Sequence, residues 1–424
     1  MSETKIINDP VFGFIKIPGG LLMDIVNHPT IQRLSRIKQL GLASMVYPGA
    51  QHTRFQHSLG AFHLMSEAIL SLSQKGVFIF DSEAEAIQAA ILLHDIGHGP
   101  FSHVLENTLI QGISHEEISL FLMKEMNKDL GGRLTLAINI FEDKYPKAFL
   151  HQLISSQLDM DRLDYLCRDS FFTGVAEGKI ASDRIIKMLD VREDRLMVQV
   201  KGIYSIENYL TSRRLMYWQV YLHKTAVACE KILINILKRA KTLQLNGENL
   251  FASPALHYFI SNNIDKDWIN NKKEETIFWY KQLDDSDIWS AIKVWQGHPD
   301  KVLSILSKDL INRETFKVKV YDEPIDSMQL ENIEKKIREK YQLSKEESHY
   351  FINYSTIQKD MYNMNDDQID ILYKDGSYKD ITQASELFNV LCPFIHFLLN
   401  SLGIHGQQRL TSLQYAIYSL PYVS

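Results

Sequence analysis

The chain has 424 residues, 45% of them hydrophobic, so it can bury a large core and is long enough for more than one domain. Lysine and arginine total 46 against 52 aspartate and glutamate, a net charge of −6 that excludes a globally basic nucleic-acid-binding surface. Cys167, Cys229 and Cys392 are too far apart for a zinc knuckle or a disulfide framework, and read as thiols of a reducing, cytoplasmic compartment.

The N-terminus, Met1-Ser2-Glu3-Thr4-Lys5, lacks the charged-then-apolar pattern of a signal peptide. His57, within Arg54-Phe55-Gln56-His57-Ser58, sits on what reads as a helix start. Ser82 to Leu93 is built of strong helix formers and ends at His94-Asp95, just before Gly97, Gly99 and Pro100 stop the helix. Ser114-His115-Glu116-Glu117 forms a capping box, followed by Ile118, Phe121, Leu122 and Met126 at helical spacing. His115 therefore falls in a first helical turn, where its ring can face a pocket. Asp161, Asp164 and Tyr165, three and four apart, share one helical face. Tyr204 to Leu243 reads as one long helix with at most one break.

Beyond it the texture changes. Asn262 to Glu275 reads as a solvated loop or a weak helix start. Phe316 to Tyr321 and His349 to Tyr354 read as strands, with a charged helix at Leu330 to Tyr341 between them. Ile369 to Tyr373, followed by Lys374-Asp375-Gly376-Ser377, predicts a hairpin turn. Leu387 to Leu402 is apolar but carries Pro393, His396 and Asn400, which argues against a membrane span. The expected fold is mainly α. A helical catalytic domain at 1–245, with a metal-site core at about 50–170, precedes a helical and α+β region at 246–424, whose smaller α+β part begins between 250 and 315.

His57, His94, Asp95 and Asp161 form a nitrogen and oxygen donor set without thiolate, which suits a divalent transition metal or magnesium. His98, His103 and His115 supply more imidazole than a ligand set needs. A metal with open positions beside spare histidines is equipment for hydrolysing a phosphate ester. Taken singly, His57 reads as a cap or a core histidine, Asp95 as a cap, and Asp161 as a surface partner of Arg162 or Arg168. What outweighs this is the run from His94 to His103, three imidazoles beside a glycine-rich turn that crowds them into a small volume.

Three segments carry a resemblance: Arg54-Phe55-Gln56-His57-Ser58-Leu59-Gly60, then His94-Asp95-Ile96-Gly97-His98-Gly99-Pro100-Phe101-Ser102-His103, then Asp161-Arg162-Leu163-Asp164-Tyr165 with Arg168-Asp169. Together they resemble the HD-domain metal phosphohydrolases, and most of all the deoxynucleoside triphosphate triphosphohydrolases, the branch of the SAM-and-HD-domain enzyme. The likeness runs from Asn8-Asp9-Pro10 to Lys224, and implies an HD-domain helical bundle. It implies one divalent ion (iron, manganese, cobalt, nickel, zinc or magnesium) on His57, His94, Asp95 and Asp161, with additional magnesium arriving with the nucleotide. It makes His115 the acid at the leaving group, oriented by Glu106. His98, His103 and Arg54 would lie on the phosphates, Arg162 and Arg213 would grip them, and Gln39, Leu40, Tyr165 and Asp169 would read the sugar. In that family the tyrosine stacks under the ribose and disfavours a 2′-hydroxyl, while the aspartate and glutamine hold the 3′-hydroxyl.

The implied reaction releases deoxynucleoside and triphosphate from a deoxynucleoside triphosphate. The same donors would serve a phosphoesterase acting on a nucleoside monophosphate or cyclic nucleotide, or a catalytically silent nucleotide sensor. The resemblance further implies a homo-oligomer, dimer or tetramer; nothing indicates membrane or nucleic acid. Lys5, Asn8-Asp9-Pro10 and Gln32 match part of the family's guanine-nucleotide activator site. Asn27 and Ser35 replace the aspartate and arginine that read guanine, which argues against activation by GTP.

Overall fold

The computed structural model describes residues 4–101, 103–106, 108–321, 326–358, 362, 368–388 and the strand Ser412–Tyr418, without the side chains of 103, 320–321, 354–358 and 412–418. Cys392 and the interrupted apolar stretch beyond residue 388 lie outside the described residues. The molecule is mainly helical, as its composition and periodicity predict. It opens with an antiparallel hairpin, Lys5–Asp9 against Gly13–Ile17, whose turn is held by Asp9 Oδ1 accepting from the amides of Val11 and Phe12.

Three helices frame the centre: Arg54–Gln74, Asp81–Leu93 and Met160–Thr173. Thr53 and Gln56 form the capping box of the first, and Asp159 caps the last through the amide of Arg162 at 2.7 Å. The first helix packs against both others. Its residues Leu64, Met65, Ala68 and Leu72 are fully buried in one continuous core with Ile87, Ala90, Ile91 and Leu163. Each large side chain so buried contributes about 1.5–3 kcal/mol. Close approach of the first and third helices requires Gly60. A Cβ there would sit 1.9 Å from Asp164 Oδ1 and 2.1 Å from Arg168 Nη2.

The capping box at Ser114 starts the helix His115–Asp129, as the sequence predicts. The long helix expected from Tyr204 is broken once: Ile203–Met216 passes into a π-helical turn at Tyr217–Tyr221, and Lys224–Leu245 restarts behind a His223 cap. The stretch from Asn262 resolves as a helix, Lys266–Tyr280, kinked at Lys272. Its polar surface hides a start signal, the Asp265 cap on the Trp268 amide, and buried Ile269, Ile277 and Tyr280 hold it. Asp285–Trp295 and Lys301–Ile311 complete this layer, the latter packed on Lys224–Leu245.

Two small sheets follow. Leu189–Arg192 and Arg195–Gln199 form a hairpin that is extended by Asp370–Leu372, parallel to Arg195–Gln199, and by Tyr378–Asp380. The hairpin expected around residue 375 is therefore present, and it completes a sheet begun in the first half of the chain. In the other sheet Ser412–Tyr418 lies between Lys317–Tyr321 and Ile352–Gln358. The strand expected from His349 begins three residues later. Capping at Ser344 starts a helical turn that runs through His349–Phe351 and buries Phe351. Among the described residues no helix is long and apolar enough to cross a membrane.

Candidate active site

Three helix ends converge. His57 lies one turn inside Arg54–Gln74, His94 caps the C-terminus of Asp81–Leu93 with Asp95 next to it, and Asp161 lies in the first turn of Met160–Thr173. One oxygen, Asp161 Oδ1, is 3.1 Å from His57 Nε2 and 3.5 Å from His94 Nε2, and the two nitrogens are 3.2 Å apart. His57 Nδ1–H donates to Asp164 Oδ2 at 2.6 Å, and His94 Nδ1–H donates to the Ile91 carbonyl at 2.7 Å. Both Nε2 lone pairs therefore turn inward, the orientation that outer partners impose on metal-ligating imidazoles.

Asp95 stands beside this trio. Its oxygens are 3.4 Å from His94 Nε2 and 3.6 Å from His57 Nε2, and Oδ2 accepts from Arg54 Nη1 at 2.5 Å. Burial by itself would lower the His57 imidazole, but its hydrogen bonds to Asp161 and Asp164 outweigh that and push it up to about 10. The carboxylates thus favour positive charge at this point. Two converging nitrogens, a shared carboxylate oxygen and surplus negative charge fit a divalent ion.

Asp164 is more than the helix-surface charge its position alone allows. It is fully buried, bonded on one side to His57 and on the other to Arg168 Nε and Nη2, while Arg168 Nη1 reaches Asp9 at 2.7 Å. Asp161 pairs with neither arginine; Arg162 turns to Asp159 instead.

The turn after Asp95 rests on the start of His115–Asp129. A Cβ on Gly97 would lie 2.1 Å from the His115 carbonyl oxygen and 2.3 Å from the Ser119 amide nitrogen. Ser119 Oγ accepts from the Gly97 amide and donates to the His94 carbonyl. Phe101, at φ 54°, bends the chain onward. With the Gly97 turn lying against this helix start, the His98 ring stacks on His115, centroids 3.9 Å apart. Glu106 lies 3.0 Å from His115 Nδ1, and Glu116 3.2 Å from its Nε2. Burial, joined by the Arg54 charge, pushes His98 down to about 3. For His115 the effect of burial is overcome by Glu106 and Glu116, which raise it above the ordinary histidine value. His98, Glu106 and His115 also fall within ligand distance of one another. However, nitrogen lone pairs lie in the ring plane, and nearly parallel rings do not aim them at one point. The trio is suited to holding a proton.

Beyond the metal cluster lie the cations. Arg213 Nε and Nη1 are buried with no hydrogen-bond partner among the described residues, beside Tyr165 and Tyr209. Donors buried without an acceptor are costly, and charge-assisted contacts to an anion would satisfy these two atoms. The side chain of His103 lies outside the described residues.

Asp169 is almost wholly buried, with Oδ1 2.7 Å from His52 Nε2 and Oδ2 2.7 Å from the Tyr221 hydroxyl. Tyr165 meets the edge of Tyr221, which meets Tyr217. Gln39 joins this group through its backbone N–H, which donates to the His52 carbonyl; Leu40 follows, half-buried, at the start of the turn Gly41–Met45. His52, Tyr217 and Tyr221 escaped the sequence reading. Tyr217 and Tyr221 stand four and eight residues after Arg213, a signal that helical spacing offered. His52 had none.

Residues 54–169 match the HD domain family, and residues 180–253 match the HD associated region. The chain is similar to a crystal structure of a phosphohydrolase from Bacteroides thetaiotaomicron, at 60% identity and a TM-score of 0.92, over 99% of this chain and 100% of that one. It is 35% identical over 324 residues to the uncharacterized protein YwfO of Bacillus subtilis, covering 75% of this chain and 72% of that protein. It is 30% identical over 257 residues to the Dictyostelium discoideum homologue of the deoxynucleoside triphosphate triphosphohydrolase SAMHD1, 56% of this chain and 50% of that one.

Proposed function

Since the chain belongs to the HD-domain phosphohydrolases, in the branch like the deoxynucleoside triphosphate triphosphohydrolases, we propose that it hydrolyses deoxynucleoside triphosphates to deoxynucleoside and triphosphate. The observation that carries this reading is Arg213, a half-buried side chain whose Nε and Nη1 are buried without a hydrogen-bond partner among the described residues, beside Tyr165 and Tyr209. Phosphate oxygens accept from such a fork, and the tyrosine rings offer a face to a sugar.

His57, His94, Asp95 and Asp161 would hold the ion, with Asp164 and the Ile91 carbonyl fixing the two imidazoles. When bound, a divalent ion supplies Lewis-acid polarisation of a phosphoryl group. Arg54 keeps the Asp95 carboxylate turned toward the cluster. Arg162 and Arg213 neutralise phosphate charge. His115, kept protonated by Glu106, delivers a proton to the departing sugar oxygen, while His98 stays uncharged against its face and adds no repulsion. Gln39, Leu40, Tyr165 and Asp169 bound the sugar.

On this reading residues 1–245 perform the chemistry and 246–424 buttress it, in a cytoplasmic homo-oligomer. A cytoplasmic setting is supported by the free thiols of Cys167 and Cys229, which burial pushes up to about 11 and about 12 and so keeps unreactive.

The test is ion-exchange analysis of products from the metal-loaded protein with each of the four deoxynucleoside triphosphates, with and without GTP. A His94→Ala/Asp95→Ala variant runs alongside. Deoxynucleoside with intact triphosphate, absent in the variant, is expected. Pyrophosphate or orthophosphate as product would replace the reading by another phosphoesterase. Nucleotide binding without turnover under any divalent metal would replace it by a sensor.

A further inference from the structure

His52 is the buried group that ties the sugar-facing residues together. The ring lies under Phe172, stacked at 4.5 Å between centroids and 19° between planes, and is sealed from solvent. From that fixed position Nε2–H donates to Asp169 Oδ1 at 2.7 Å. The same residue's backbone carbonyl accepts from the Gln39 backbone amide at 3.0 Å, a bond that a side-chain substitution leaves in place. The Gln39 side-chain oxygen is itself buried without a partner among the described residues. Asp169 receives a second bond, from the Tyr221 hydroxyl at 2.7 Å, on its other oxygen.

A carboxylate has about four acceptor positions. His52 and Tyr221 occupy one on each oxygen, which locks the rotamer of Asp169 while leaving lone pairs to accept from a hydroxyl. Gln39 and Asp169 come from segments far apart in the chain, and His52 is bonded to both. Resting on the deoxynucleotide reading above, we propose that His52 is a positioning residue for substrate selection: its side chain holds Asp169 in the orientation that, beside Gln39 on the adjoining backbone, demands the 3′-hydroxyl of the sugar. A site built around a hydroxyl discriminates strongly against the analogue lacking it, because its own buried groups are then left unpaired. Without His52 the carboxylate can turn away, and that demand weakens.

The experiment compares kcat and KM for dATP and 2′,3′-dideoxy-ATP in the metal-loaded wild type and in His52→Phe, His52→Asn and His52→Gln. Phenylalanine keeps the stack on Phe172 without a donor. Glutamine places an amide N–H near the position of Nε2, and asparagine is too short to do so. In the wild type dATP is favoured over the dideoxy analogue by the ratio of kcat/KM. In His52→Phe and His52→Asn that ratio falls at least about tenfold, mainly through a raised KM for dATP, and His52→Gln restores most of it.

An unchanged ratio in the phenylalanine and asparagine variants overturns the inference. So does an equal fall for both nucleotides carried by kcat, which is the signature of a merely structural histidine. Melting curves on each variant identify one that does not fold, and the asparagine–glutamine pair then decides alone. A wild type inert toward every deoxynucleoside triphosphate overturns the proposed function and this inference with it. An active wild type with an indifferent His52 overturns the inference only.

Discussion

On the proposed reading, substitutions at two residues would separate the holding of a metal from the delivery of a proton. Asp164 touches no substrate position, yet it accepts the His57 Nδ1 proton and so aims Nε2 at the cluster. Substituting Asp164→Asn should lower metal affinity about 10–100-fold, read by titration of the metal-free protein and by elemental analysis. Substituting His115→Ala should instead leave metal content intact and lower kcat about 10²–10⁴-fold. The pH profile follows from the sign of the shift. Burial alone would lower His115, but Glu106 and Glu116 outweigh it and raise the group above the ordinary histidine value, so its acid form persists to higher pH than that of a free imidazole. Activity carried by that proton should be full below the raised pKa and fall as pH rises through it. In a Glu106→Gln variant the alkaline limb of the kcat profile should move to lower pH.

At the scale of elements, the site depends on how closely a turn can approach a helix start. The Gly97 turn carries His94 and Asp95 on one side and His98 on the other, and it lies against the first turn of the helix that carries His115. A methyl group there would meet backbone atoms that cannot rotate away. Gly97→Ala should therefore cost about 1–3 kcal/mol and lower kcat, because turn and helix must part. The measurement is a pair of thermal melts and rate assays with Gly297→Ala as control. At Gly297 a Cβ would meet nothing closer than the Val294 carbonyl oxygen at 3.8 Å. The helix start at Ser114 was legible in the sequence through its capping box, a local pattern within four residues, and the start before His57 was legible as such, although its Thr53–Gln56 box went unread. The kinked helix Lys266–Tyr280 was legible only as one of two alternatives, a weak helix start against a solvated loop, since its few buried residues matter only once their neighbours are in place.

Across the whole molecule, the layer formed by residues 254–311 is fastened to the metal turn. Arg33 is fully buried and donates to the carbonyls of Leu283, Ile96 and His98 at 2.8, 3.3 and 3.0 Å. Its guanidinium lies over the Tyr280 ring, whose hydroxyl donates to the Gly97 carbonyl at 2.6 Å. Residues from three parts of the chain thus close around the backbone that carries His94 and His98. Arg33→Met should leave those carbonyls unsatisfied and cost on the order of 3 kcal/mol. Urea unfolding should show the lower midpoint, and kcat should fall although the substitution is at no substrate position.

The sequence by itself determined the donor types, their helix-end positions and the mainly helical class. Those properties reside in short-range spacing: a cap, a glycine turn, an i, i+4 face. Only the tertiary structure decided which polar groups are partners. His52 and Asp169 are 117 residues apart, Arg33 and Leu283 are 250 apart, and His57 and Asp164 are 107 apart. Each bond forms because packed helices exclude water and leave one buried acceptor within reach of one donor. Such pairing follows from which helices meet and at what depth, and the spacing of residues along the chain carries no record of it.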